Sequence, residues 1–312
     1  MERTKSNSGA VRLPAYLLLA FIAILAFVAL TARGAEPKKI VFIAGPPSHG
    51  PGEHEHRAGC LLLKSCLDKV PGVVSVVYSN GWPQDPQAAF AGAATVVVYS
   101  DGEGGHPLLR DDHLETMRAL VKKGVGLVCI HYAVEPAKDK GRTEFLDWLG
   151  GYFEVNYSVN PTWTPDFSKL PDHPIARGVR PFQLRDEWYF HMRFREGMAG
   201  VTPILTAVPP ETTMSRADGP HEGNPDVRAA VQRGDPQQVA WAFELPDGTR
   251  AFGFTGAHYH KNWGNDDFRK LVLNAIIWTA KLDVPNSGIQ STVTEEDLKK
   301  NLDFKARAQI RG

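Results

Sequence analysis

One stretch, residues 40–62 (IVFIAGPPSHGPGEHEHRAGCLL), already indicates the fold of this chain. Its first five residues form an apolar run, which predicts a buried strand ending at Gly45. The next segment, residues 48–56, is called the opening loop below; it holds three histidines and two carboxylates. Apolar residues at helical spacing follow from Ala58. A strand, a polar loop and a helix in this order are typical of the first active-site loop of an α/β enzyme.

The alternation of strand and helix continues beyond this stretch. Apolar runs predict four strands, at residues 39–44, 73–79, 94–100 and 127–131. Near-continuous Val, Ile and Leu runs separated by helices favour a mostly parallel sheet that is buried on both faces. Residues 141–200 are irregular and rich in aromatics, which indicates an insertion that shapes a pocket. Further on, we expect an exposed loop at 211–236, an Asp-Gly hairpin at 246–248 and a last helix capped by Asn265 or Asp266.

The two ends of the chain differ from this α/β domain, which we assign to residues 36–284. Residues 1–35 combine a basic start, an apolar run at 13–30 and small residues near position 35, a pattern that predicts a secretory signal. An uncleaved membrane anchor is the alternative, because the apolar run approaches the roughly 17–25 residues that span a bilayer. Both place the folded part outside the cytoplasm and limit membrane contact to this segment. Residues 285–312 form a polar C-terminal tail.

Composition limits the possible functions. The 35 basic and 35 acidic residues cancel, so we expect no nucleic-acid partner. The cysteines Cys60, Cys66 and Cys129 form neither a CxxC pair nor an even framework, so we expect no structural disulfide.

Histidines follow several of the predicted strands. The carboxyl ends of parallel strands form the ligand crevice of an open sheet, so these histidines are expected to converge. Imidazole nitrogens suit zinc, and we predict that a divalent metal, by ligand type zinc, is held by two or three of His54, His56, His131 and His258. A solvated loop and ordinary strand-end histidines are the alternatives.

Carboxylates and aromatic residues near the same strand ends are further candidates. The candidates for moving protons, and so for catalytic roles, are Glu53, Glu55, Asp101, Glu103 and His191. A sugar ring is a natural partner for a tryptophan face, and the candidates for substrate binding are His49, Trp163, Trp188, His260 and Trp263. Core packing is the alternative for each tryptophan.

Six stretches of the chain resemble the ThuA-like family, which is named for trehalose utilisation. They are IVFIAGPPSHGPGEHEH, VVVYSDGEGGH, GLVCIHYAVE, PDHPIARGV, DEWYFHMRF and GFTGAHYHKNWGNDDFRKLVLNAIIW, and they span about residues 38–282. The resemblance implies a flavodoxin-like three-layer sandwich similar to class I glutamine amidotransferases. It also implies a role in carbohydrate metabolism, on a sugar or an oxidised (3-keto) sugar.

The amidotransferase comparison is informative where it fails. Such an enzyme needs a nucleophilic cysteine on the turn after the central strand and a histidine partner from a later strand. Here His131 takes the turn position, Cys129 lies inside the strand, and His258 falls where the partner would be. We therefore expect no glutamine amidotransferase activity. The leading hypothesis is an extracytoplasmic metal-dependent enzyme that isomerises, hydrates or cleaves a small-molecule carbohydrate; the alternative is a non-catalytic carbohydrate- or partner-binding module.

Overall fold

The computed structural model describes Met1 and residues 36–305. The predicted signal or anchor, residues 2–35, and residues 306–312 lie outside the described residues. In the described part of the chain, no helix is both long enough and apolar enough to cross a membrane.

A seven-stranded sheet forms the centre of the domain. Its strands are β1 (Lys38–Ala44), β2 (Val73–Tyr78), β3 (Ala93–Tyr99), β4 (Gly126–Ile130), β5 (Val201–Ala207), β6 (Gln237–Glu244) and β7 (Arg250–Phe254). The spatial order is β5-β6-β7-β4-β3-β1-β2. Strands β2, β1, β3, β4 and β7 pair in parallel, whereas β6 runs antiparallel to both of its neighbours. The fold is therefore α/β with a mostly parallel sheet, as the sequence predicts.

Helices cover both faces of this sheet. They are α1 (His56–Leu67), α2 (Pro86–Phe90), α3 (His113–Lys122), α4 (Arg142–Trp148), α5 (Pro225–Gln232), α6 (Asp266–Thr279) and α7 (Glu295–Lys299). Alternate strand residues enter two separate cores: Phe42 joins the one that contains α1 and α6, and Val41 joins the one that contains α3 and α4. Burial on both faces explains the continuous apolar runs of the strands.

The aromatic-rich insertion carries three short ladders of two residues per strand. Its Trp163 and Trp188, and also Trp263 from the last third of the chain, are buried, with exposed fractions of 4%, 0% and 0%. The Trp188 ring packs against aromatic rings that include Phe167 and Phe254. The prediction that these tryptophans bind a sugar is therefore wrong for this structure, because their faces are used to build the core.

Two further segments differ from expectation. The predicted loop at 211–236 contains α5, which Asn224 caps by accepting a hydrogen bond from the Val227 amide. The polar tail packs onto the domain as far as residue 305: Ile289 is buried, and α7 begins with a capping box at Thr294.

Candidate functional site

Three histidines meet at the carboxyl edge of the sheet. His54 lies in the opening loop after β1, His131 follows β4 directly and His258 follows β7. His54 Nε2 lies 3.0 Å from His258 Nδ1 and 3.1 Å from His131 Nε2, and the remaining separation, His258 Nδ1 to His131 Nε2, is 3.3 Å. Ring nitrogens from three distant segments thus form a small triangle.

Glu187 of the insertion adds a carboxylate to this triangle. Its Oε2 lies 3.2 Å from His258 Nδ1 and 3.6 Å from His131 Nε2. We call His54, His131, Glu187 and His258 the histidine cluster; their possible ligand atoms all lie within 4.8 Å of one another. The fully buried Asp186 next to Glu187 accepts hydrogen bonds from the amides of Ala257, at 2.8 Å, and His258, at 3.1 Å. This fixes the insertion to the segment after β7.

Hydrogen bonds on the far side of two rings determine which nitrogen faces the cluster with a lone pair. His131 Nδ1 lies 2.8 Å from the Thr255 carbonyl oxygen, which can only accept, so Nδ1 carries the proton. His54 Nδ1 lies 2.8 Å from Asp101 Oδ1, a carboxylate that also accepts from the Ser48 hydroxyl. Both Nε2 atoms therefore present lone pairs to the centre of the cluster, where a hydrogen-bond donor or a cation would relieve their mutual repulsion.

Burial keeps these two rings neutral. Removal from water lowers the pKa of His54 well below its usual value, and the nearby His49 lowers it further. Removal from water also lowers the pKa of His131, with repulsion from His54 adding to the effect. Burial also lowers the pKa of His258. Glu187 outweighs this effect through its hydrogen bond and its negative charge, so the pKa of His258 is raised overall.

The backbone at this site is strained. His54 and His131 have φ values of 45° and 59°, in the left-handed region that non-glycine residues avoid. Such conformations persist only where the surrounding structure enforces them, and they are concentrated at functional sites.

The structure places the other predicted residues around the cluster or away from it. Asp101 accepts a hydrogen bond from His54 Nδ1, the ring nitrogen opposite the one that faces the cluster. Tyr189, which the sequence did not single out, directs its hydroxyl at His131 Nε2 at 3.2 Å. Glu53 and His49 lie at the rim: Glu53 Oε1 is 3.7 Å from His258 Nε2, and the His49 ring stacks on His54 with centroids 3.5 Å apart.

Two predicted residues of the opening loop have other roles. His56 begins α1; its Nδ1 bonds the Pro46 carbonyl, and its Nε2 stays 3.7 Å from Asp101, so Glu187 takes the place in the cluster that we predicted for His56. Glu55 is buried and accepts from the amides of Gly52 and Asp303, which makes it a tie to the C-terminal segment and not a proton carrier.

His191 and His260 also lie outside the histidine cluster. His191 stacks on Tyr157 with centroids 4.1 Å apart and bonds its carbonyl oxygen, which removes it from the catalytic candidates. His260 is buried, and both ring nitrogens lack a hydrogen-bond partner among the described residues. Glu103 accepts from the Tyr132 hydroxyl at 2.9 Å and joins a different group of side chains, described below.

The cysteine at the end of the central strand is not poised for chemistry. Cys129 is completely buried in β4, and burial raises the pKa of its thiol far above the usual value. A buried neutral thiol is a poor nucleophile. In this structure Cys129 is therefore not accessible as a nucleophile.

Comparison with known proteins identifies the family. The family model described as ThuA, trehalose utilisation, matches residues 77–279. The chain belongs to the ThuA family. The match includes His131, Glu187 and His258, whereas the opening loop with His54 lies before it.

Two solved structures of ThuA-like proteins share the fold of this ThuA-family chain. A ThuA-like protein from Bacteroides uniformis superposes with a TM-score of 0.57 at 14% identity, covering 80% of this chain and 94% of the other. One from Parabacteroides merdae gives 0.51 at 15% identity, covering 83% and 94%. A glutamine amidotransferase from Thermotoga maritima gives 0.42 at 12% identity, covering 79% and 97%. No curated protein sequence matches the chain.

Proposed function

We propose that this protein is an extracytoplasmic metal-dependent enzyme acting on a sugar or keto-sugar, with zinc held by the histidine cluster. The observation that carries the proposal is the pair of facing lone pairs. His54 and His131 each have the other ring nitrogen committed to an oxygen acceptor, and their Nε2 atoms lie 3.1 Å apart in a buried setting. A cation between them removes the repulsion.

The donor set fits zinc in number, type and spacing. Zinc binds imidazole nitrogen and carboxylate oxygen at about 2.0–2.2 Å, so the donors of a tetrahedral site lie about 3.4 Å apart. The three nitrogen separations are 3.0, 3.1 and 3.3 Å, and Glu187 Oε2 lies 3.2 and 3.6 Å from two of these nitrogens. Metal-binding imidazoles usually donate their other ring N–H to an oxygen acceptor, which fixes the ring. Asp101 and the Thr255 carbonyl oxygen are in position to play this part for His54 and His131.

The residues around the cluster suit chemistry on a carbonyl or a hydroxyl pair. A bound divalent metal polarises a substrate oxygen or lowers the pKa of water. The Tyr189 hydroxyl is buried beside His131 and can donate a hydrogen bond to a bound substrate oxygen. Glu53 is 37% exposed at the rim and can take a proton from the substrate and return it at another atom. Isomerisation, hydration and cleavage all require such a proton carrier.

The carbohydrate substrate and the location rest on different support. The family description, trehalose utilisation, favours a sugar. The basic start, apolar run and small residues of 1–35 favour export. A fusion of this segment to a reporter enzyme that is active only after export tests the location; a reporter that stays inactive refutes it.

One observation favours a second candidate, a non-catalytic carbohydrate-binding module. Cys129 lies two residues before the turn where an amidotransferase has its nucleophilic cysteine, and it is buried. Loss of an accessible nucleophile is expected in a chain that has lost an ancestral activity. Turnover separates the two candidates: a binder retains a sugar unchanged, whereas the enzyme converts it.

The test is metal content of the purified full-length chain by elemental analysis, with melting temperature measured with and without zinc. We expect retained metal and a zinc-dependent rise in melting temperature, and we expect both to be smaller in His131→Ala and Glu187→Gln. His191→Ala is the matched control, because it removes a half-buried histidine outside the cluster and should keep the metal. A wild type that holds no metal and does not respond to zinc refutes the metal site. Glucosides and their 3-keto derivatives are then screened for turnover.

A further inference from the structure

A second group of metal-ligating side chains lies at the same edge of the sheet. Glu103 follows β3, Glu135 follows the turn after β4, and His221 precedes α5. Their possible ligand atoms lie within 4.8 Å of one another. The group shares no residue with the histidine cluster. Tyr132 separates the two, with its ring centroid 6.1 Å from that of His54 and its hydroxyl bonded to Glu103.

Glu135 is a buried carboxyl group with one oxygen that lacks a hydrogen-bond partner among the described residues. Its side chain is 1% exposed, and its Oε1 accepts a hydrogen bond from His221 Nε2 at 2.8 Å. Its Oε2 is also buried and has no hydrogen-bond partner among the described residues. Burying a carboxylate is unfavourable unless both oxygens meet donors or positive charge. One imidazole therefore leaves half of this carboxylate uncompensated.

Glu103 adds a second carboxylate close to Glu135 and His221. Its φ is 47°, in the left-handed region, and its amide donates to the Glu135 carbonyl at 3.0 Å. Its Oε2 lies 3.9 Å from His221 Nε2. Within residues 36–305, no lysine or arginine pairs with either carboxylate. The group thus gathers two carboxyl groups around one imidazole.

We infer that Glu103, Glu135 and His221 form a second divalent-cation site, independent of the histidine cluster. Two carboxylates and one imidazole suit a first-row transition cation such as Mn²⁺ or Zn²⁺. The His221 ring is held for this role by stacking on Phe153, with centroids 5.3 Å apart. The cation compensates the free oxygen of Glu135 and replaces the direct contact between Glu135 and His221.

The stoichiometry of bound zinc tests this site. The full-length chain, stripped with chelator, is dialysed against micromolar Zn²⁺, and the metal is measured per chain. We expect about two equivalents for wild type, about one for Glu135→Gln and about one for His131→Ala. His221→Ala, which changes a partly exposed loop residue, repeats the test if Glu135→Gln folds poorly. Glu296→Gln, an exposed glutamate on α7, is the control and should keep both equivalents.

The pattern of loss separates this site from the proposed function. One equivalent that disappears in His131→Ala and persists in Glu135→Gln and His221→Ala overturns the second site and leaves the histidine cluster standing. If the wild type holds one equivalent and loses it only in Glu135→Gln and His221→Ala, the second site is supported and the histidine cluster binds no zinc. Glu135 variants that lower the melting temperature without changing the metal content show that the contact with His221 is a salt bridge only, which also overturns the inference.

Discussion

Replacing Asp101 by asparagine should weaken zinc binding at the histidine cluster although Asp101 is not a ligand. Its Oδ1 accepts from His54 Nδ1 and from the Ser48 hydroxyl, both at 2.8 Å. The carboxylate keeps the proton on Nδ1 and makes Nε2 a better donor. Loss of such an outer partner typically reduces metal affinity 10–100-fold, which is about 1.4–2.7 kcal/mol.

The structure narrows this range. Asparagine has the same shape, and its side-chain oxygen can still accept from His54 Nδ1, so only the negative charge is lost. The acceptor behind His131 is the Thr255 carbonyl, which the substitution does not touch. We therefore expect about a tenfold loss for Asp101→Asn and a loss nearer a hundredfold for Asp101→Ala, which also removes the hydrogen bond.

Competition with a fluorescent zinc chelator measures these affinities. Asp111→Asn is the matched control, because that side chain is 83% exposed and should leave the affinity unchanged. His54→Ala sets the scale for complete loss of one ligand. Wild-type affinity in Asp101→Asn, together with weakened binding in His54→Ala, would refute the reasoning, because the carboxylate would then have no influence on its imidazole partner.

Three other substitutions test packing and burial. Burial lowers the pKa of His106 to about 4, so its neutral form stabilises the fold above pH 6.5 and this contribution is lost as the pH falls toward 4. The free energy of unfolding of wild type should therefore fall between pH 7.5 and 5 by about 2 kcal/mol more than that of His106→Leu in denaturant titrations; equal slopes would contradict this. In Gly59→Ala the added methyl group would lie 2.6 Å from the Tyr99 ring, so we expect about 1–3 kcal/mol of destabilisation despite better helix propensity, and unchanged stability would count against this packing. Lys305→Met removes a buried ammonium that donates to backbone carbonyls of the opening loop, and it should lower both melting temperature and zinc affinity. Lys300→Met, at an exposed pair, should change neither, and equal effects of the two would contradict a role for Lys305.

The layered fold was predictable because its strands are buried on both faces. Each of the first four predicted strands begins within one residue of the observed start, and the hairpin around Asp247 joins β6 to β7. The insertion offered no such signal. Its ladders have two residues per strand, too short for any periodicity, and its aromatic residues looked like surface platforms for a sugar. Only the three-dimensional packing shows that Trp188 fills the core.

The site was predictable only in part, and the physical reason is visible at two residues. His54 and His56 share the spacing that places side chains on one side of an extended segment, so the sequence predicts both as ligands. But His56 is the first residue of α1, so the chain turns helical there and its ring is directed at the Pro46 carbonyl. Glu187 arrives from the irregular insertion, which no rule of sheet topology places at a strand end. The buried Asp186 brings it there through hydrogen bonds to the amides after β7, a long-range contact without any local pattern in the sequence.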